Sequence, residues 1–382
     1  MTIEQARREF PHTWTDLVYL NHAAVAPLSF RVRDAVDRYQ TRRALKAIEP
    51  YPWAQKTVQE TRELLARMLN ARADQMAFVL NTSDGLNVIA QGLDWQPGDR
   101  VLINDLEFPA NVYPFLNLRR RGVEVDVIRK NPLFKKDGTG GYSVSPADIE
   151  AHLTDRTKLV SISYVQYGTG AKADLAAIGK LCRERDILFV VDGIQALPHT
   201  PLDVERDMVD FMSCGSHKWM MSDLAAAFIY VGDRALERIH QASLGWTSID
   251  NPFNFTIRPD ELREGAARFE NGGMNFSGIT ALNASLKFFF EFGLKEMERA
   301  VLDLSGYLIE RLEREGIEVI TPKAENEHSG IVSFKFADAE KVYQRLLSQD
   351  IVISLRNGLL RVSPHFYNTE DEVKRLLSVL TG

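Results

Sequence analysis

The sequence predicts an α/β protein with a doubly wound, mostly parallel seven-stranded sheet, followed by a smaller α+β unit. In the first two-thirds of the chain, short β-rich runs alternate with helix-like segments. Several of these runs are apolar almost throughout, which is typical of strands covered on both faces. After about residue 265 the pattern changes to longer helical stretches separated by a few short strands. We therefore expect a large domain over residues 15–264, with residues 1–14 and 265–382 forming the small one.

The elements of the large domain can be read in order. Helices are expected from Pro146 and after Asp174, since apolar residues lie three and four positions apart and Asp174 favours a helix cap. The basic cluster Arg119 to Arg121 precedes Gly122, where a helix is expected to end and positive charge complements its dipole. The seven expected strands are Met76–Asn81, Arg100–Asn104, Val123–Ile128, Lys158–Tyr164, Ile187–Asp192, Asp210–Cys214 and Ala226–Val231.

The small domain begins with a long amphipathic stretch from Ile279 to Glu315, and its last helix is expected from Thr369. Between them, two short apolar runs flank Arg356-Asn357-Gly358. Asn-Gly between apolar runs is a strong hairpin signal, so a tight turn is expected there. The other elements expected are strands at 317–320 and 330–336 and a helix near 339–348.

Composition and charge limit the class of protein. The chain has 382 residues, 45% of them apolar, and 46 Lys and Arg against 52 Asp and Glu, a net charge of −6. This balance argues against a nucleic-acid surface. No apolar run approaches the roughly 18 residues that a spanning helix needs, and the first residues are too charged for a signal peptide. We expect a cytoplasmic protein without a membrane partner. Cys182 and Cys214 lack the spacing of a disulfide framework or a metal site.

Asp192 and Lys218 each follow a predicted strand, and ligands of doubly wound sheets bind beyond the carboxyl ends of strands. Taken separately, an Asp that begins a loop and a solvated Lys are ordinary features. Together they match pyridoxal phosphate, which needs an amine for a Schiff base and a carboxylate to keep its ring nitrogen protonated. A desolvated lysine also loses its proton more readily. The pair therefore indicates this cofactor. A nicotinamide-dependent enzyme is not indicated, because the sequence has no Gly-x-Gly-x-x-Gly segment after a strand.

Four motifs along the chain support the same interpretation: Tyr19-Leu-Asn-His-Ala-Ala, Asp192-Gly-Ile-Gln195, Ser216-His217-Lys218 and Arg361-Val-Ser-Pro-His-Phe-Tyr. In this order and spacing they resemble the class V aminotransferase family. These fold-type I pyridoxal 5′-phosphate enzymes include cysteine desulfurases, cysteine lyases and kynureninase. The resemblance covers nearly the whole chain.

The resemblance implies a role for each residue of the central motifs. Lys218 would form the Schiff base and move the α-proton of the substrate. Asp192 would pair with the pyridine nitrogen, and Gln195 would donate to the phenolic oxygen of the cofactor. His217 and Ser216 would contact the phosphate.

Thr82 and Ser83 follow the first strand and open a helix. Hydroxyls and N–H groups at a helix N-terminus form an anion site, although either residue could instead cap the helix without a ligand. The resemblance favours phosphate binding.

Phe108 stands where desulfurase-like members have a His that stacks on the cofactor, an arrangement that resembles kynureninase. Phenylalanine can stack but cannot transfer a proton, and a buried Phe at a strand end is the alternative. The resemblance also implies that Arg361 binds the α-carboxylate of an amino-acid substrate, a solvated arginine being the alternative. Asn21 and His22 would line the substrate entrance.

Two features depart from the family pattern. Cysteine desulfurases hold a persulfide-forming cysteine just before the position of Arg361, but this chain has no cysteine after Cys214. The family often has Thr in a segment that reaches the phosphate of the other subunit, where this chain has Gly273, so a backbone N–H or Asn275 is the substitute expected. The segment still implies a homodimer with active sites at the subunit interface.

These observations predict a pyridoxal phosphate enzyme that acts on an α-amino acid, with transamination preferred. The missing hairpin cysteine and the replaced stacking histidine argue against sulfur transfer. Three alternatives stay open: β-elimination as in a C–S lyase, a kynureninase-like or epimerase-like reaction, and a non-catalytic binding protein with this fold.

Overall fold

The computed structural model describes residues 1–130, 142–255, 261–324 and 326–381. Within these ranges the strands are β1 Val18–Tyr19, β2 Met76–Val79, β3 Arg100–Asn104, β4 Glu124–Ile128, β5 Thr157–Ser163, β6 Leu188–Asp192, β7 Phe211–Gly215, β8 Ala227–Val231, β9 Val332–Phe334, β10 Ile351–Val352, β11 Ser354–Arg356 and β12 Leu359–Val362. The α-helices are α1 Ile3–Arg7, α2 Phe30–Leu45, α3 Tyr51–Leu69, α4 Thr82–Gly92, α5 Tyr113–Leu116, α6 Pro146–Glu150, α7 Leu175–Glu184, α8 Asp233–Leu236, α9 Phe276–Phe292, α10 Leu294–Arg314, α11 Ala339–Leu347 and α12 Glu370–Thr381.

The predicted seven-stranded sheet is confirmed, in the order β2-β8-β7-β6-β5-β3-β4. The strand β8 runs antiparallel to the other six strands of this sheet, which share one direction. Every residue of β6, β7 and β8 is buried, because helices cover both faces. One core layer contains residues of α3, α7 and α9, and the other contains residues of α4 and α5. The strands β2, β3, β5, β6 and β7 therefore end at one edge of the sheet.

The long amphipathic stretch is interrupted rather than continuous. Gly293, with φ of 106°, separates α9 from α10. A left-handed backbone conformation of this kind favours glycine and ends a helix. The two helices consequently serve different layers, since α9 packs on α2 and α3, while α10 contacts α12 and β9.

The predicted hairpin is confirmed. Its strands β11 and β12 are joined through Asn357 and Gly358, whose φ values are 49° and 78°. Positive φ at both positions is the requirement of the tightest hairpin turn, which explains the Asn-Gly sequence. The predicted strand at 317–320 is reduced to a single bridge between Val319 and Phe334.

The small unit contains the sheet β11-β12-β9, packed with α10, α11 and α12. The N-terminal segment joins this unit, because β1 pairs with β10, and Val18 and Leu20 are buried in the same core. The proposed domain boundaries at residues 15 and 264 stay a prediction. In the described part of the chain, no helix combines the length and apolarity needed to span a membrane.

Candidate active site

Asp192 and Lys218 lie at the ends of two neighbouring parallel strands. Asp192 is the last residue of β6 and is 2% exposed, and its Oδ1 accepts a hydrogen bond of 3.0 Å from the N–H of Ile194. Burial raises the pKa of the Asp192 carboxyl to about 7, the charge of Glu107 acts in the same direction, and Lys218 opposes both. Burial lowers the pKa of the Lys218 amine to about 8, which Asp192 partly offsets. The site therefore holds an acid and an amine that both titrate near neutrality.

The N-terminus of α4 forms a cradle with the loop after β7. Asn81 caps the helix by accepting from the N–H of Asp84, so Thr82 is its first residue and not its cap. The Thr82 hydroxyl is buried and has no hydrogen-bond partner in the described residues. A Cβ atom on Gly215 would lie 3.1 Å from Thr82 Oγ1 and 3.3 Å from Cε1 of His217. These groups surround a space that the glycine leaves open, beside the half-buried Ser83.

Phe108 stands over the amine. The residue is 44% exposed, and Lys218 Nζ lies 5.4 Å from its ring centroid. Tyr167, in the loop after β5, meets the same ring edge to face at 5.2 Å. The alternative of a buried strand-end phenylalanine is therefore wrong, and the ring is available to cover a ligand.

Arg361 on β12 is 2% exposed, and its charge acts on Lys218. Its Nη1 donates to the carbonyl of Tyr167 at 2.8 Å and its Nη2 to the Ser354 hydroxyl at 3.3 Å, whereas its Nε has no partner in the described ranges. Burial lowers the pKa of this guanidinium to about 10. Because Arg361 is buried, the alternative of a solvated arginine is wrong, and no carboxylate forms an ion pair with it in that part of the chain. A buried cation of this kind is suited to an anionic ligand.

Residues 18–376 match the model of the family described as Aminotransferase class-V. The chain belongs to the class V aminotransferase family. It is accordingly an enzyme that uses pyridoxal 5′-phosphate, as an aminotransferase or a lyase.

Class V relatives are similar over their whole length. A probable cysteine desulfurase of Methanothermobacter thermautotrophicus is 26% identical, with 98% of this chain and 96% of the relative covered. The uncharacterized aminotransferase YcbU of Bacillus subtilis is 25% identical, with 99% and 97% covered. The structure of a cysteine desulfurase from Thermococcus onnurineus gives a TM-score of 0.87 at 23% identity, with 99% and 97% covered. The cystine C–S lyase C-DES, in complex with cysteine persulfide, gives 0.87 at 23% identity, with 97% and 99% covered.

The residues present fit the class V cofactor. The unpartnered Thr82 hydroxyl and the N–H groups that open α4 suit a phosphate. Burial lowers the pKa of His217 to about 4, so its neutral ring offers one N–H. Gln195 is held by an Ala23 carbonyl at 3.1 Å and by the Trp219 indole N–H at 2.9 Å, which leaves its second amide hydrogen available.

Two predicted cofactor contacts are committed elsewhere in this class V chain. Ser216 donates its only hydroxyl proton to the carbonyl of Ala226, so it has no donor left for a phosphate. Asn275 caps α9 by accepting from the N–H of Gly278 at 3.0 Å, and its amide donates to the carbonyl of Ala225 at 3.1 Å. Both side chains hold the loop after Lys218 in place.

The two predicted entrance residues differ. Asn21 reaches the site through Ser354, whose hydroxyl donates to its Oδ1 at 2.6 Å and also binds the Arg361 guanidinium. His22 does not reach it, because the side chain is fully buried. Its ring nitrogens pair with the Ser363 carbonyl at 2.8 Å and the Tyr367 hydroxyl at 2.6 Å. The prediction that His22 contacts substrate is therefore not supported.

Glu107 holds two loops of this site together, a role that the sequence did not lead us to predict. Its buried carboxylate accepts five hydrogen bonds, which fix the loops after β3 and β5 on either side of Phe108 and Tyr167. The sequence did offer one signal, because this charged residue closely follows a buried strand and has one asparagine shortly before it and another shortly after it. The donors are Asn104 at 2.6 Å, Asn111 at 3.0 Å, Gln166 at 2.8 Å, and the backbone N–H of Ser163 at 2.9 Å together with its hydroxyl.

Replacing Asp192 with Asn should stabilise the cofactor-free protein at alkaline pH. The folded carboxyl keeps its proton up to pH about 7, whereas the unfolded one releases it near pH 3.8, so stability falls as pH rises between these values. The gain in the free energy of unfolding should be about 1–3 kcal/mol at pH 8 and smaller at pH 5. Denaturant unfolding at both values measures it. Asp186→Asn is the control, because hydrogen bonds from Arg238 and Arg234 lower the pKa of the Asp186 carboxyl to about 2, so its loss should destabilise at pH 8. A D192N variant no more stable than the wild type at pH 8 contradicts this account.

Thr82→Val should weaken cofactor binding without destabilising the cofactor-free fold. The substitution removes a buried hydroxyl that has no partner, so the affinity for pyridoxal phosphate should fall roughly tenfold, as for a lost charge-assisted hydrogen bond. Thr61→Val is the matched control, since its buried hydroxyl donates to the carbonyl of Thr57 at 2.6 Å. That variant should lose stability instead. Equal cofactor affinity of T82V and the wild type in an absorbance titration would remove Thr82 from the phosphate site.

Proposed function

We propose that the protein is a pyridoxal 5′-phosphate-dependent lyase that removes a substituent from the β-carbon of an α-amino acid. One observation carries the proposal: the charges of the Asp192 carboxyl and of the Arg361 guanidinium both act on the Lys218 amine, and the buried guanidinium has no described counterion. When bound, the cofactor supplies an electron sink for the electrons released at the α-carbon of the substrate. The names of the desulfurase and C–S lyase relatives support cleavage over transamination.

Lys218 moves the protons in this proposal. With a pKa of about 8, a useful fraction of its amine is neutral at neutral pH and can act as nucleophile or base. Its Nζ would accept the proton from the α-carbon of the substrate. The ring of Phe108 carries no transferable proton, so this task does not fall to the residue above the amine.

Asp192 has the complementary task of holding a proton on the ring nitrogen. A cation beside its carboxyl would lower the raised pKa and keep the aspartate ionised. The hydrogen bond from Ile194 fixes the orientation of the carboxyl. The groups needed at the two ends of the cofactor ring therefore lie on adjacent strands.

Arg361 and Phe108 would orient and enclose the substrate. A guanidinium fork binds a carboxylate through two parallel hydrogen bonds, and the unpartnered Nε of Arg361 with one Nη provides such a pair. The aromatic ring would then cover the reacting atoms and exclude water.

The leaving group should depart freely rather than on a protein thiol. The hairpin turn consists of Asn357 and Gly358, and both cysteines of the chain lie elsewhere and are buried. Burial raises the pKa of Cys182 to about 12 and holds that of Cys214 well above its ordinary value. Neither supplies an accessible thiolate for persulfide formation.

The homodimer stays part of the proposal. Large apolar side chains are exposed beside the segment 269–275, which with α4 and β8 lines a cavity of about 570 Å³. Such a patch is suited to a second subunit. Its exposed members are Leu80, Leu224, Leu244, Trp246 and Phe253.

Product analysis tests the reaction type. The cofactor-loaded enzyme, incubated with β-substituted amino acids such as cysteine and cystine, should release pyruvate and ammonia in equal amounts. Transamination, the second candidate and the activity named for the YcbU relative, would instead give an oxo acid that keeps the side chain, with the amine form of the cofactor. That second result would overturn the lyase proposal. Lys218→Ala is the control and should give neither product.

Arg361→Lys should weaken binding of amino acids by about 2–4 kcal/mol. An ammonium group cannot reproduce the two parallel hydrogen bonds of the guanidinium fork. Titration of the cofactor absorbance with a slow amino-acid ligand measures the dissociation constant. Binding of the corresponding amine without a carboxylate serves as the control and should change little. An unchanged constant for the amino acid would exclude Arg361 as the carboxylate site.

A further inference from the structure

The hairpin that carries Arg361 places a second arginine beside it. Ser354 lies opposite Arg361 in the β11–β12 register, and Arg356 lies opposite Leu359. Residues two apart on a strand share a face, so Arg356 and Arg361 are diagonal neighbours on one face, with Cα atoms roughly 7–8 Å apart. Since Arg361 and Ser354 point into the crevice, this is the face that lines the active site.

The backbone under Arg356 is rigid although its side chain is exposed. The turn through Asn357 and Gly358 has two residues, and β12 is paired with β9 on its other side. The hairpin therefore holds the Cα of Arg356 in a fixed position relative to Arg361. The long side chain retains the reach to adapt to a ligand.

The charge of Arg356 is not neutralised by the part of the chain that the structure describes. Its only hydrogen bond there goes to the carbonyl of Leu355 at 3.2 Å, and it forms no ion pair within those ranges. Its positive charge reaches the site, where it contributes to the lowered pKa of both Lys218 and Arg361. Glu107, whose charge also acts on Asp192, already accepts hydrogen bonds from five donors.

The crevice thus presents two guanidinium groups, whereas an α-amino acid has one α-carboxylate. If Arg361 takes that carboxylate, Arg356 remains to face the side chain of the substrate. An uncharged side chain would partly desolvate this cation without compensating it, whereas an acidic group would form charge-assisted hydrogen bonds. Two oxygens on one atom match the guanidinium fork.

We propose that Arg356 is a specificity-determining residue, which selects α-amino acids whose side chain carries a carboxylate, sulfinate or sulfonate group. This inference rests on the proposed function, because it requires Arg361 to hold the α-carboxylate of an amino acid bound beside Lys218. It concerns the class of substrate and is independent of which bond is broken.

Matched ligand pairs test the selectivity. The cofactor-loaded enzyme is titrated with aspartate against asparagine and with glutamate against glutamine, and the absorbance change of the cofactor gives the dissociation constants. The wild type should bind the acidic member of each pair at least roughly tenfold more tightly. Arg356→Gln should abolish most of this preference, whereas Arg356→Lys should keep a part of it, because the charge is retained.

Arg120→Gln is the charge-matched control. Arg120 is exposed and lies before the N-terminal end of β4, at the edge of the sheet opposite the site, so its removal should leave the preference unchanged. A wild type without preference for the acidic ligands, or an R356Q variant that keeps the preference, would overturn the inference. In both cases normal cofactor absorbance and binding of neutral amino acids leave the proposed function intact. Failure to take up pyridoxal phosphate at all would overturn the proposed function, and the inference with it.

Discussion

The site depends on ionisable groups that are buried before any ligand arrives. Taking a carboxyl, an amine and a guanidinium out of water is unfavourable unless each finds an opposite charge, and Asp192, Lys218 and Arg361 do so only in part. The fold tolerates this unfavourable burial because the surrounding strands and helices fix the positions of the three side chains. A cofactor with a cationic ring nitrogen and an anionic phosphate, together with an anionic substrate, would supply the opposite charges that these groups lack. Stability given up in the free protein is thus available as binding energy.

The rigid support for these groups comes from a network that takes no part in the chemistry. Glu107 accepts hydrogen bonds from the last residues of β3 and β5 and from the loops that follow these two strands. Five donors around one carboxylate satisfy its buried oxygens and join two strand ends into one unit. Phe108, its chain neighbour, is held over Lys218 as a result. The negative charge of Glu107 also contributes to the raised pKa of Asp192. One buried acid therefore influences both the position of the Phe108 ring and the proton affinity of Asp192.

The sequence allowed the sheet and the central acid–amine pair to be predicted, because strand periodicity and the rule for the carboxyl ends of strands are local or topological. The hairpin was predictable for the same reason, since Asn357 and Gly358 specify their own backbone conformation. Predictions about His22, Ser216 and Asn275 were less successful. What these side chains do depends on which distant groups they meet: His22 bonds to Ser363 and Tyr367, which lie more than 340 positions along the chain. A family motif places such a residue near the site, but only packing decides whether a polar atom remains free.

In the proposed function, different parts of the chain supply chemistry and recognition. Asp192 ends one strand of the large sheet and Lys218 follows the next, whereas Arg361 and Arg356 lie on the hairpin of the small unit. The N-terminal segment connects them, because β1 pairs with β10 and Asn21 binds the Ser354 hydroxyl that also contacts Arg361. A substrate that bridges the two sets of groups would fix the hairpin against the sheet. In a relative whose hairpin loop carries a cysteine, that loop must be long enough to reach the substrate. Here a two-residue turn makes the hairpin short and rigid, which is unsuitable for a mobile thiol but suitable for two fixed cations.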